Sequence, residues 1–104
     1  MTRLTERQFQ RQVMDAARAL GWLRAHFRPA PSAQGWRTPV EGDGAGFPDL
    51  VLVRPPRVLF VELKSDTGKL TDAQRVWLNQ LSLCGQEFYV WRPSDWARVE
   101  EALR

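Results

Sequence analysis

Gly46-Phe47-Pro48-Asp49-Leu50-Val51-Leu52-Val53-Arg54-Pro55-Pro56-Arg57-Val58-Leu59-Phe60-Val61-Glu62-Leu63-Lys64 is the stretch on which the fold turns. Two runs rich in β-formers flank a Pro-Pro pair, a pattern that predicts a hairpin. Side chains alternate along a strand, so Glu62 and Lys64 point one way and Val61 and Leu63 the other. An acid and a lysine within a run of Val, Leu and Phe suggest a central strand covered on both faces. The charged pair then sits at the carboxyl end of that strand, where sheets commonly place sites. Gly46 permits close backbone approach, and Pro48 fixes the path into the first strand. Antiparallel pairing about Pro55-Pro56 sets Asp49 beside Glu62 and Lys64. The competing reading of Glu62 and Lys64 is an ordinary solvated surface pair.

Two carboxylates, Asp49 and Glu62, together with the backbone carbonyl of Leu63, can hold a hard divalent cation such as Mg²⁺ or Mn²⁺. A single cysteine and a single histidine leave no internal disulfide and no Cys- or His-based metal site. Cys84, among Leu81, Leu83 and Gly85, is expected to be a small thiol in the core. The donor set suits phosphodiester hydrolysis, in which a cation neutralises the phosphate and acidifies a water. Lys64 is expected to orient that water or offset charge at phosphorus.

Outward from this stretch, the 104 residues are read as one domain, 1–104, with 43% hydrophobic and 26% charged residues, a balance typical of globular chains. No apolar run approaches the ~20 residues of a membrane span. The opening MTRLTERQFQ lacks the apolar centre of a secretory signal. A soluble, cytoplasmic protein that is not secreted is expected. The net charge of +3 is compatible with a polyanionic partner. The cations are 13 Arg and 2 Lys, Lys64 and Lys69. Lysine is a compact charge that can orient a water or lose its proton, which arginine does poorly.

Thr5 and Gln8 have capping-box spacing, and Phe9, Val13, Ala17 and Leu20 recur at helical intervals, so residues 5–20 are expected to be a helix stopped by Gly21. Trp22 to Phe27 reads as a strand. Residues 28–46, with Pro29, Pro31 and Pro39, read as a long irregular segment, functional or mobile. Within it Trp36 and Arg37 are candidate nucleic-acid contacts, or else parts of a solvated loop. Thr71 and Gln74 repeat the capping-box spacing before a helix with Val76, Trp77, Leu81 and Cys84 on its apolar face. Phe88 to Trp91 reads as a strand, and Ser94 as the cap of a last helix carrying Trp96, Val99 and Leu103. The order α-β-β-β-α-β-α predicts an α/β fold with a small mixed sheet flanked by helices.

Gly46-Phe-Pro-Asp49 followed by Val61-Glu-Leu-Lys64 resembles the PD-(D/E)XK nuclease signature. Thr5-Glu6-x-x-Phe9-Gln10 at the first helix and Leu70-Thr71-x-x-Gln74 at the second make it similar to the VRR-NUC branch, the virus-type replication-repair nucleases, over residues 4–91. The resemblance implies a restriction-endonuclease-like αβββαβ core, here with an extra C-terminal helix. It implies that Asp49 and Glu62 bind metal, that Lys64 is catalytic, that Glu6 joins the metal site directly or through water, and that Gln74 approaches from the second helix. The lesser reading of Glu6 is a favourable first-turn acid, and Gln74 is equally read as a capping residue. Lys69 is a candidate phosphate contact, or equally a solvated loop residue.

Stand-alone members of the family resemble Holliday-junction resolvases, which implies branched DNA as substrate and a homodimer matched to its two strands. Exposed Trp among Trp36, Trp77, Trp91 and Trp96 are candidates for that interface, and most of them are equally read as core. A helicase or other replication protein is a further candidate partner. Two alternatives stand beside this reading: a flap or duplex endonuclease without junction preference, and a nucleic-acid-binding module without catalysis.

Overall fold

Helix α1 (Glu6–Ala19) opens the computed structural model, which describes residues 4–27, 33, 35 and 40–104 in full and residues 30–32, 36 and 37 as backbone. Its capping box is formed: Thr5 Oγ1 accepts the Gln8 N–H at 3.1 Å, and Gln8 Oε1 accepts the Thr5 N–H at 2.9 Å. Phe9, Val13 and Ala17 form its buried stripe. Gly21, at φ +84°, turns the chain into strand β1 (Leu23–His26). The segment expected to be irregular contains a short antiparallel hairpin, β2 (Ala30–Ser32) with β3 (Gly35–Arg37). Proline is tolerated in so short an edge pair, and Gly35 takes φ +100° at the return.

The predicted hairpin forms from β4 (Leu50–Arg54) and β5 (Arg57–Leu63), antiparallel, with Leu50 opposite Val61 and Arg54 opposite Arg57. The Pro55–Pro56 bond is cis. Helix α2 (Asp72–Leu83), strand β6 (Glu87–Trp91), a 3-10 turn (Pro93–Asp95) and helix α3 (Trp96–Leu103) complete the order. The four-stranded sheet runs β1-β4-β5-β6. Strand β5 is central, antiparallel to β4 and parallel to β6, so the sheet is mixed. This is the expected α/β fold, including the added C-terminal helix.

Alternation divides β5 cleanly. Leu59, Val61 and Leu63 are buried with Leu50, Leu52 and Trp91, in one core with Phe9, Val13 and Ala17 of α1 and Val99 and Leu103 of α3. Phe60, Glu62 and the following Lys64 take the opposite face. There Phe47 sits edge-on to Phe27, Phe60 and Trp77, with ring centroids 5.5, 6.3 and 5.0 Å away. The hydrogen bond from Trp22 Nε1 to the Leu103 carbonyl, 2.9 Å, ties α3 to the chain leading into β1.

Two local expectations are corrected and one left open is decided. Cys84 is exposed and Val76 is 59% exposed. The inward face of α2 instead carries Gln74, Trp77, Leu78 and Leu81, all half-buried. Ser94 does not cap α3. It lies inside the 3-10 turn that Pro93 starts, its N–H donates to Asp66 Oδ1 at 2.9 Å, and Asp95 accepts the Arg92 N–H at 3.1 Å. Trp91 is 2% exposed, in the core and not at an interface, whereas Trp77 and Trp96 are half-buried. No helix among the described residues is long and apolar enough to cross a membrane.

Candidate active site

The β4–β5 register, carried one residue beyond Leu50 and Val61, sets Asp49 opposite Glu62. Asp49 is half-buried, and its Oδ2 accepts the Leu63 N–H at 3.0 Å. Its own carbonyl accepts the Phe27 N–H at 2.9 Å, so the residue is anchored to both neighbouring segments. The loop before it is pressed against α2. A Cβ at Gly46 would come within 2.5 Å of the Ala73 carbonyl carbon and 2.7 Å of the Gln74 nitrogen, and Gly46 stands at φ +86°. Trp77 Nε1 donates to the Asp43 carbonyl at 2.9 Å and fixes the same loop further back.

Glu62 is 1% exposed, and its Oε2 is buried without a hydrogen-bond partner. Burial, then hydrogen bonding and repulsion from Asp49, push its carboxyl up from 4.5 to about 9, while Lys64 pulls the other way. Two acids share a site that one lysine does not neutralise. An orphaned carboxylate oxygen in such a place costs stability unless a cation or proton meets it. The donor set therefore fits a hard divalent ion, with Asp49, Glu62 and the Leu63 carbonyl as candidate ligands.

The other candidates fall at different distances from this pair. Lys64 is half-buried, its N–H donates to the Trp91 carbonyl at 3.0 Å, and its charge reaches Glu62. Glu6 is exposed at the start of α1 and raises the Glu62 carboxyl further through its charge. Among the described residues, no group of three or more His, Cys, Asp and Glu side chains is gathered as a metal site, so Glu6 stands apart from the Asp49–Glu62 pair. Gln74 closes the capping box of α2, its Oε1 accepting the Thr71 N–H at 2.9 Å. Lys69 is exposed on the β5–α2 connection. Trp36 and Arg37 belong to β3, and their side chains lie outside the described residues.

Two arginine clusters escaped the sequence reading. Arg92 Nη1 donates to the carbonyls of Ser65 at 2.7 Å and Gly68 at 2.6 Å, just after Lys64. Nothing local marks Arg92. Only the parallel register, Leu63 opposite Trp91, places it across from Lys64. At the other end of β5, Arg57 holds Glu87 through two bonds of 2.8 and 2.7 Å, and Tyr89 O–H donates to Glu87 at 2.7 Å. Arg57 draws the Glu87 carboxyl down to about 2. The guanidiniums of Arg54 and Arg57 lie 4.4 and 5.2 Å from the Trp22 ring centroid.

A solved structure described as a VRR_NUC domain matches at 24% identity and TM-score 0.65, covering 94% of this chain and 92% of that one, which is a likeness of fold. No functionally curated protein matches the chain. The profile of the VRR-NUC domain matches residues 3–95, nearly the whole chain. The chain belongs to the VRR-NUC family, whose members are nucleases that generally use a divalent metal.

Proposed function

We propose that the protein is a deoxyribonuclease that hydrolyses phosphodiester bonds of branched, junction-like DNA with Mg²⁺ or Mn²⁺, acting as a homodimer in replication, repair or recombination. The observation that carries the catalytic part is the buried Glu62 carboxylate, one oxygen unpartnered, beside Asp49 and Lys64. A bound divalent ion would supply charge neutralisation at the phosphate and a more acidic water. Asp49 and Glu62 hold the ion, with the Leu63 carbonyl as third ligand from the chain. The Leu63 N–H keeps Asp49 aimed inward and fixes one of its oxygens. Lys64 offers the positive charge that orients a water or offsets charge on phosphorus. Glu6 adds negative charge near the ion, through water, and Gln74 stands at the mouth of α2.

Branched DNA is proposed because stand-alone members of the family resemble junction resolvases; such nucleases read shape and backbone more than bases. Lys69, Arg37 and Trp36 are the proposed phosphate and base contacts, and a helicase or replication protein is the proposed partner. A two-fold dimer matches the two strands of a junction.

The test incubates purified protein with a labelled four-way junction, a flap and a matched duplex, in Mg²⁺, Mn²⁺ or EDTA, with Glu62→Ala in parallel. Metal-dependent cutting of the junction, absent in the variant, is the expected result. Equal cutting of all three substrates would remove the junction preference. Tight binding with no cutting in either metal would replace the nuclease reading with a binding module.

A further inference from the structure

Lys64 is the last residue before a tight connection. The Gly68 N–H donates to the Ser65 carbonyl at 3.2 Å, so residues 65–68 form a turn directly after the strand. That turn packs against the lysine stem. A Cβ on Gly68 would lie 3.6 Å from Lys64 Cδ, an ordinary van der Waals contact, so the turn runs alongside the stem. The turn is clamped from the residue that caps the 3-10 turn after β6: one guanidinium nitrogen of Arg92 bonds the carbonyls at both its ends, 2.7 and 2.6 Å away. The Ser94 N–H bond to Asp66 Oδ1 adds a third tie from the same 3-10 segment. Charge-assisted bonds of this length are among the stronger ones a loop receives.

We propose that Arg92 is a positioning residue: it clasps the Ser65–Gly68 turn and thereby holds the Lys64 side chain beside Glu62. The assignment of a catalytic role to Lys64 rests on the function proposed above; the clasp itself does not. Arg92 directly follows Trp91, the last residue of the strand parallel to β5, so the rigidity of the sheet passes to a side chain on a connection, where motion is otherwise expected. A misplacement of about 1 Å at a reacting group costs about a hundredfold in rate. Loss of the clasp is therefore expected to lower single-turnover cleavage by about 10- to 100-fold while changing the DNA dissociation constant by less than about threefold.

The chain has two lysines, which makes a direct observation simple. Protein labelled with ¹³C-lysine, free of metal and DNA, shows two Cε signals, assigned with Lys64→Arg and Lys69→Arg. In Arg92→Gln, the Lys64 signal is expected to move toward the position of free lysine and sharpen, with Lys69 unchanged. Arg92→Lys, which keeps a cation for the two carbonyls, is expected to restore part of the shift. A folded Arg92→Gln protein whose Lys64 signal coincides with that of the wild type would overturn the proposal. If Arg92→Gln does not fold, Arg92→Met, which keeps the stem and removes the donor to both carbonyls, decides. A displaced Lys64 signal there supports coupling of turn to stem, and an unmoved one refutes it. Because this readout needs no cleavage, a protein that cuts no DNA would defeat the nuclease reading and leave the clasp to be judged by its own signal.

Discussion

Replacing Glu62 by glutamine is expected to stabilise the metal-free protein, and the size of the effect follows from the site. The Glu62 carboxyl titrates near 4.5 when unfolded and about 9 when folded, chiefly because burial disfavours its charge. Between those values the native state holds one proton more than the unfolded state, so stability falls as pH rises. The contribution is whole below 4.5 and is lost progressively toward 9. At about pH 7.5 the accumulated cost is about 4 kcal/mol, of which local relaxation leaves about 2 to 4 kcal/mol. Glutamine is neutral at every pH, keeps the shape, and can donate an N–H to Asp49 where the protonated acid would. In EDTA at about pH 7.5 the variant should unfold about 10 °C or more above the wild type. At about pH 5 the two should differ by less than about 1 kcal/mol, because the unfolded carboxyl is then largely protonated as well. Urea unfolding of both proteins between about pH 5 and pH 8 measures the difference directly, with a converging slope of about 1.4 kcal/mol per pH unit. Adding Mg²⁺ should raise the wild type and leave the variant behind. Parallel stability curves, or a variant no more stable than wild type at the upper pH, would refute the account of Glu62 as a buried, unneutralised acid.

Gly46→Ala sets a methyl against the backbone of Ala73 and Gln74 at a left-handed φ, and should cost at least about 2 kcal/mol in urea unfolding; a neutral substitution would mean the loop is not pressed on α2. Glu87→Gln removes the Arg57 partner at a site about a third exposed, so screening limits the loss to about 1 kcal/mol at neutral pH. The Glu87 carboxyl is held down to about 2, so its stabilisation is present above 4.5 and disappears as pH falls toward 2. Wild type and Glu87→Gln should therefore converge in acid, and an equal difference at about pH 6 and pH 2.5 would contradict the pairing.

Sequence reading reached the central hairpin because its determinants are local: alternation, a proline pair, and β-branched runs on both sides. The facing of Asp49 and Glu62 then follows from pairing alone. Both capping boxes were equally legible, since Thr and Gln three apart act within a single turn. What was missed or left open has causes both near and far in the chain. Cys84 sits one turn past Leu81 and satisfies the helical period, yet it is exposed among the described residues. Gln74 satisfies both a family pattern and a cap, and the structure shows the cap. Ser94 resembles a cap until Pro93 winds the chain into a 3-10 turn around it. Arg92 acquires its place only through the parallel register of β6 on β5, which no local pattern encodes. The β2–β3 hairpin, in turn, is hidden by prolines that ordinarily argue against strands.

Strand β5 carries two glutamate environments at its opposite ends. Beside Arg57, the Glu87 carboxyl is drawn down to about 2 and stays ionised above it, whereas burial pushes the Glu62 carboxyl up to about 9. Five residues of extended chain separate Arg57 from Glu62, about 16 Å at 3.3 Å per residue. Substitutions that far apart with no shared partner combine additively. The domain can thus be toughened at the Arg57–Glu87 end, by better ion pairing or tighter packing on Trp22, and altered in activity at the other. An engineer, or natural selection, can adjust durability and chemistry along one strand as two independent variables.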